Sequence, residues 1–280
     1  NINKNQNHGS VSIIDPVPFI SELRMIKSEN EIKIIDKAID VTKKGFEHIN
    51  TIVNQNMTEY DVQVELEYIF RKNGSRYNAY PSIVAGGDNA CVLHYIDNNK
   101  SLSDADFLLI DAGAELDYYA SDITRTFRLS NNIDGLRMEA YNIVKEAQEN
   151  AISAVKPDQT LKDIHIKALD VLIPGLKSLK LFDHSVDEIL SDNLYTEFYM
   201  HGTSHWLGLD VHDSSPYSIN KSEIKLKPGM IFTVEPGLYF SARSQYSDFN
   251  KSLSGTGIRI EDDILVTEDG YRNMSEDIVY

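Results

Sequence analysis

The sequence is short of cysteine, of positive charge and of long apolar runs. Cys91 is the one cysteine among 280 residues, so no disulfide can form within the chain and a disulfide-stapled secreted scaffold is excluded. No stretch approaches the roughly eighteen consecutive apolar residues of a membrane-spanning helix, and the opening NINKNQNHGS carries no apolar signal segment. Lys and Arg total 27 against 43 Asp and Glu, a formal net charge of −16. Phosphate backbones and anionic lipid surfaces call for the opposite balance, so neither nucleic acid nor membrane is an expected partner. These absences predict an acidic, cytoplasmic protein, long enough for one large domain with a proper core.

The hydrophobic pattern predicts helices and antiparallel hairpins alternating along the chain. Ser28 and Glu31 form a capping box ahead of Ile32, Ile35, Ile39, Phe46 and Ile49 at helical spacing. Thr58 with Asp61 opens a second helix, which stops at Gly74. Residues 107–110 and 118–129 read as a hairpin turning around Glu115–Asp117, and residues 134–155 and 161–172 as a helical pair. Beyond Leu190 the character turns β-rich, over 207–211, 230–240 and 257–266. Residues 11–23, apolar with two prolines, read as an extended connector. The order of elements predicts an α+β fold, without the repeated β-helix-β units of a parallel sheet.

Asp111, Asp122, Glu235 and Glu261 all stand at ends of apolar strand-like runs. One such acid alone is most simply a turn cap or a solvated hairpin residue. Four in the same kind of position would repel one another unless cations lay between them. With the imidazole of His205, such a shell suits two borderline divalent ions, Mn²⁺, Co²⁺ or Zn²⁺. His201 and His205 are four apart, but Gly202, Thr203 and Ser204 make poor helix, so this spacing says little. Taken singly, His94 and His212 are ordinary hydrogen-bonded histidines.

The run HGTSHWLGLDVHD, residues 201–213, closely resembles the signature of aminopeptidase P, within the pita-bread metallopeptidase family that also includes prolidase and methionine aminopeptidase. CVLHY around His94, IDAGAE, SDITRTF, VEPGLYF and GIRIEDD follow in the order and spacing of that family. The resemblance implies a curved antiparallel sheet backed by helices, with two metal ions, most readily Mn²⁺, in its concave face. It implies that Asp111 binds one ion, that Asp122 and Glu261 bridge both, and that His205 and Glu235 complete the other shell. Glu235 would also handle the proton of the attacking water, His212 would hydrogen-bond the developing oxyanion, and His94 would stand near the substrate. His201 and Tyr80 would line the pocket, with Arg259 as a counter-ion. The substrate implied is a peptide with proline at position two. Prolidase is the runner-up, followed by methionine aminopeptidase and a metal-free binding module on the same scaffold.

Residues 1–20 resemble the tail of a further N-terminal domain that such proteins carry, with the catalytic part in 21–280. Without that covering domain, apolar surface around Tyr80, Trp206 and Tyr239 is expected to be exposed and to drive assembly into a homo-oligomer.

Overall fold

The computed structural model describes residues 15–219, 221–242 and 251–278. Helix α1 (Val17–Met25) leads into α2 (Glu29–Ile52), opened by the Ser28/Glu31 capping box, and α3 (Glu59–Lys72), opened in the same way by Thr58 and Asp61. Strands β1 (Tyr77–Asn78), β2 (Ile83–Gly86), β3 (Phe107–Ala112), β4 (Ala114–Leu116), β5 (Tyr119–Ala120) and β6 (Ile123–Arg128) follow. Helices α4 (Gly135–Ser153), α5 (Leu161–Ser178) and α6 (Val186–Ser191) separate them from β7 (Ser218–Ile219), β8 (Ser222–Glu223), β9 (Ile231–Val234), β10 (Gly237–Phe240), β11 (Thr256–Arg259), β12 (Asp262–Val266) and β13 (Tyr271–Asn273).

Two three-stranded antiparallel sheets dominate, β2-β3-β6 and β13-β12-β9, with β10 paired to β11 beside them. A bridge between Thr124 and Glu261 joins the edge of one sheet to the other. Each sheet has its own apolar core. Ile35, Ile39, Phe46 and Ile49 of α2 pack with Leu66 and Phe70 of α3 against Leu108 and Ile110. The α4–α5 pair, through Val144, Ala147, Leu169 and Leu172, packs against Phe232, Val234, Ile258 and Ile264. Burial of such side chains, roughly 1.5–3 kcal/mol each, is what sets the helices on the sheets.

Three expectations need correction. The segment read as an extended connector is helical over Val17–Met25, because Pro16 and Pro18 fall before and within the first turn, where no intrahelical N–H is lost; residues 11–14 lie outside the described residues. Residues 207–211 are not a strand: only Trp206 makes a β-bridge, to Phe232, before the chain bends through 208–212. Trp206 and Tyr239 are buried rather than exposed, Trp206 donating its indole N–H to Pro216 O at 3.0 Å. Two further details differ. The turn of the first hairpin sits at Asp117–Tyr118, both in the left-handed region (φ 48° and 71°), and α5 runs on past Leu172 to Ser178.

Candidate metal centre

Each carboxylate of interest stands where a strand begins, ends or breaks. Asp111 is the fifth residue of β3, and Asp122 immediately precedes β6. Glu235, followed by Pro236, interrupts the run from β9 into β10, and Glu261 lies between β11 and β12. Gly113 permits this crowding, since a Cβ there would lie 1.7 Å from the carbonyl oxygen of Ser121.

All ten residues singled out in the sequence line one cavity of about 580 Å³: Tyr80, His94, Asp111, Asp122, His201, His205, His212, Glu235, Arg259 and Glu261. Ligand atoms of Asp122, His205 and Glu261 lie within 4.8 Å of one another. His205 Nδ1 faces Trp206 O at 3.2 Å, which leaves Nε2 turned to Asp122 Oδ2 at 3.2 Å and Glu235 Oε1 at 3.6 Å. Tying one ring nitrogen to a carbonyl so that the other faces the site is how a ligating imidazole is oriented. Asp111 joins the group through Tyr80, whose hydroxyl donates to Asp111 Oδ1 at 2.6 Å and also to Asp122 Oδ1. Thr124 donates to Glu261 Oε2 at 2.6 Å.

The electrostatics record an excess of negative charge. Burial, with the charges of Asp122, Glu235 and Asp111, holds the Glu261 carboxyl well above its usual range. Asp111 is raised chiefly by burial, which outweighs the guanidinium of Arg259 beside it. Glu235 is pushed up to about 7 by burial, against the opposing pull of His205 and Arg259. For His205 burial lowers the pKa, but the bond to Asp122 and the charges of Glu235 and Asp122 reverse it to about 9. Among the described residues, four carboxyls thus face one guanidinium, Arg259, and one imidazole of raised pKa, His205. An oxygen-rich donor set with one nitrogen and uncompensated negative charge fits borderline divalent cations.

A second layer supports the first. Arg259 Nη1 donates to the Tyr239 hydroxyl at 3.0 Å, which donates in turn to His201 Nε2 at 2.8 Å, while His201 Nδ1–H donates to Gly202 O at 2.8 Å. Burial and the Arg259 charge lower His201 to about 3, so it stays neutral in this chain of bonds. His212 packs edge-on to His205 with ring centroids 4.2 Å apart, and burial followed by the His205 charge lowers its pKa. The sequence reading gave no site role to Tyr239. Strand periodicity could not have found it, because the run breaks at Glu235–Pro236 before β10 begins.

The motif order, the helix-backed antiparallel sheets and this cavity agree with what residues 33–268 show by comparison, a match to metallopeptidase family M24. The chain belongs to that family. It is 40% identical over 263 residues to the Xaa-Pro aminopeptidase of Haemophilus influenzae, covering 94% of this chain and 60% of that protein. With the Escherichia coli Xaa-Pro aminopeptidase it shares 38% identity over 268 residues, 96% of this chain and 60% of the relative. Among solved structures, the Pseudomonas aeruginosa aminopeptidase PepP superposes with a TM-score of 0.88 at 39% identity, covering 91% of this chain and 57% of that one. A zinc-substituted E. coli aminopeptidase P in complex with product gives 0.90 at 37% identity, over 95% and 60% of the two chains. The fold is therefore the M24 pita-bread fold, as the sequence led us to expect. The chain spans about three fifths of the length of these relatives.

Proposed function

We propose that residues 21–280 form the catalytic unit of a dinuclear metal-dependent aminopeptidase that hydrolyses the N-terminal Xaa-Pro bond and releases the first residue. The observation that carries this reading is the convergence of five ligand-type side chains from both sheets into one cavity, in a chain whose relatives are named Xaa-Pro aminopeptidases. Asp111, Asp122, His205, Glu235 and Glu261 would hold two divalent ions, with Mn²⁺ our first choice and Co²⁺ or Zn²⁺ the alternatives. When bound, such ions polarise a carbonyl and lower the pKa of water.

The protein's own groups supply the remainder. Glu235, on the cavity wall beside His205, would take the proton of an attacking water and give it to the departing proline nitrogen. That nitrogen carries no hydrogen in the Xaa-Pro bond and must gain one to leave. His212, on the cavity wall, would hydrogen-bond the carbonyl oxygen as negative charge develops on it, and His94, on the same wall, would stand close to the substrate. His201, kept neutral and tied to Tyr239, offers a fixed aromatic wall for the proline ring. Arg259 and Tyr80 hold Asp111 and Asp122 in place through their hydrogen bonds.

No helix among the described residues is long and apolar enough to cross a membrane, and we propose a cytoplasmic location. Val17, Phe19, Ile20 and Leu23 of α1 present apolar surface to solvent, which supports assembly into a homo-oligomer. Release of the first residue from an Xaa-Pro-Xaa tripeptide with added Mn²⁺ tests the function. Cleavage confined to Xaa-Pro dipeptides would assign prolidase activity instead.

A further inference from the structure

His94 stands on a segment without regular structure. After a short 3₁₀ turn, Gly87–Cys91, the chain runs irregularly to residue 101. Segments of this kind are ordinarily mobile, yet this one carries Leu93, His94 and Ile96 on the wall of the metal cavity. Its ties converge on one side chain. Glu59, the first residue of α3, is wholly buried. Its Oε1 accepts from Gly86 N at 2.9 Å and Asn89 Nδ2 at 2.8 Å. Its Oε2 accepts from the Tyr95 hydroxyl at 2.7 Å and Lys100 N at 2.9 Å. The backbone N–H of Glu59 also donates to Lys100 O at 2.9 Å.

The four donors are spaced along the segment, before, beside and after His94, and Tyr95 is its immediate neighbour. Glu59 itself does not line the cavity. Asn98 makes a separate tie, to Ser82 O, Val84 N and Gln63, which fastens the far end of the segment to β2. Burying a carboxyl is costly unless its lone pairs are filled, and an apolar side chain could have plugged the same space. We propose that Glu59 is a positioning residue, fixing the segment 86–101 so that His94 meets the substrate. This rests on the proposed place of His94 close to the substrate.

A double-mutant cycle tests it. Glu59→Gln keeps the size of the side chain but turns an amide NH₂ toward two of the donors. Tripeptide turnover is measured with Mn²⁺ for the parent chain, Glu59→Gln, His94→Ala and the double variant, with metal content recorded. We expect kcat/KM to fall at least about tenfold in the parent background and less than about twofold beside His94→Ala, at unchanged metal content. Equal losses in both backgrounds would overturn the proposal, since a general structural defect does not need His94. Tyr95→Phe, which removes one donor and keeps the ring, runs the same cycle and decides the matter if Glu59→Gln does not fold. Hydrogen exchange reads the segment without turnover. Protection over 86–101 should drop in Glu59→Gln, or in Tyr95→Phe where only that variant folds, while 107–112 is unaffected, and unchanged protection counts against the proposal. A parent chain that cleaves no Xaa-Pro peptide would sink the functional reading separately, leaving the exchange measurement to decide on Glu59.

Discussion

Glu261 and Asp262 are consecutive, both buried, and in opposite electrostatic states. Asp262 accepts from Arg125 Nη2 at 2.6 Å, Gln148 Nε2 at 2.6 Å, Asn273 Nδ2 at 2.9 Å and Ser275 Oγ at 2.7 Å. Burial alone would raise its pKa, but Arg125 and these donors hold it below the usual range. Among the described residues Glu261 has one donor, Thr124, and the charges of Asp122, Glu235 and Asp111 join burial in driving its pKa up. Alternation along the strand sends the two side chains to opposite faces. Asp262 is paired with Arg125 and fastens β12 to β6, whereas Glu261 faces the cavity among other acids. The same contrast separates a structural ion pair from a ligand-binding site wherever buried acids cluster.

The comparison can be broken most forcefully at its cavity side. Glu261→Gln should lower Xaa-Pro cleavage by about a thousandfold or more, because it removes one of the ligands we propose for the metal ions. It should not lower the melting temperature of the metal-free chain, since burial and the neighbouring acids already push Glu261 toward its neutral form, which the amide mimics. A large metal-independent loss of stability in Glu261→Gln would put that residue in the same class as Asp262. On the other face, Asp262→Asn leaves Arg125 buried without its counter-charge. We expect a cost of about 3–5 kcal/mol, the same with and without Mn²⁺, read by denaturant unfolding.

Acid and base should act on the two faces in opposite senses. Glu235, Glu261 and Asp111 have raised folded-state pKa values, so the folded metal-free chain binds more protons than the unfolded one. Their contribution to stability then falls as pH rises, for Glu235 from about 4.5 through about 7, and we expect it to outweigh the opposite contribution of His201, which is lowered to about 3 and loses stability as pH falls below 6.5. His205, raised to about 9, adds stability present below 6.5 and lost as pH climbs through about 9. Asp262, lowered, gives stability present above its unfolded value of 3.8 and lost as pH falls through its folded one. Melting of the metal-free chain at pH 5 and pH 8 should show the lower temperature at pH 8, and Mn²⁺ should remove that difference. The smallest effect is expected from Tyr239→Phe, which frees His201 from Arg259. A loss of about 1–3 kcal/mol in transition-state binding, carried mainly in KM, fits the two hydrogen bonds that the hydroxyl makes, with Arg259 and His201.

Much of this was legible in the sequence because the chemistry is local to strand ends. Capping boxes placed α2 and α3, and motif order placed ten side chains that the fold gathers into one cavity. What was not legible depended on tertiary neighbours. Residues 206–212 carry strand-like composition but pair only at Trp206, because the chain must bend there to bring His205 and His212 together. The prolines before and within α1 read as breakers until their place in the first turn was known. Arg125, in the SDITRTF motif, and Glu59, in a capping sequence, gave no sign of their buried partners, which lie 137 and up to 41 residues away.

We propose that the unbalanced carboxyls hold two cations. Elemental analysis of the purified chain after saturation with Mn²⁺ and removal of free ion, paired with melting curves before and after EDTA, tests it directly. The account predicts two ions per chain, a melting temperature that falls on chelation, and loss of both in Asp122→Asn. A chain that takes up no ion, or only one, or that melts identically after confirmed metal removal, would contradict it.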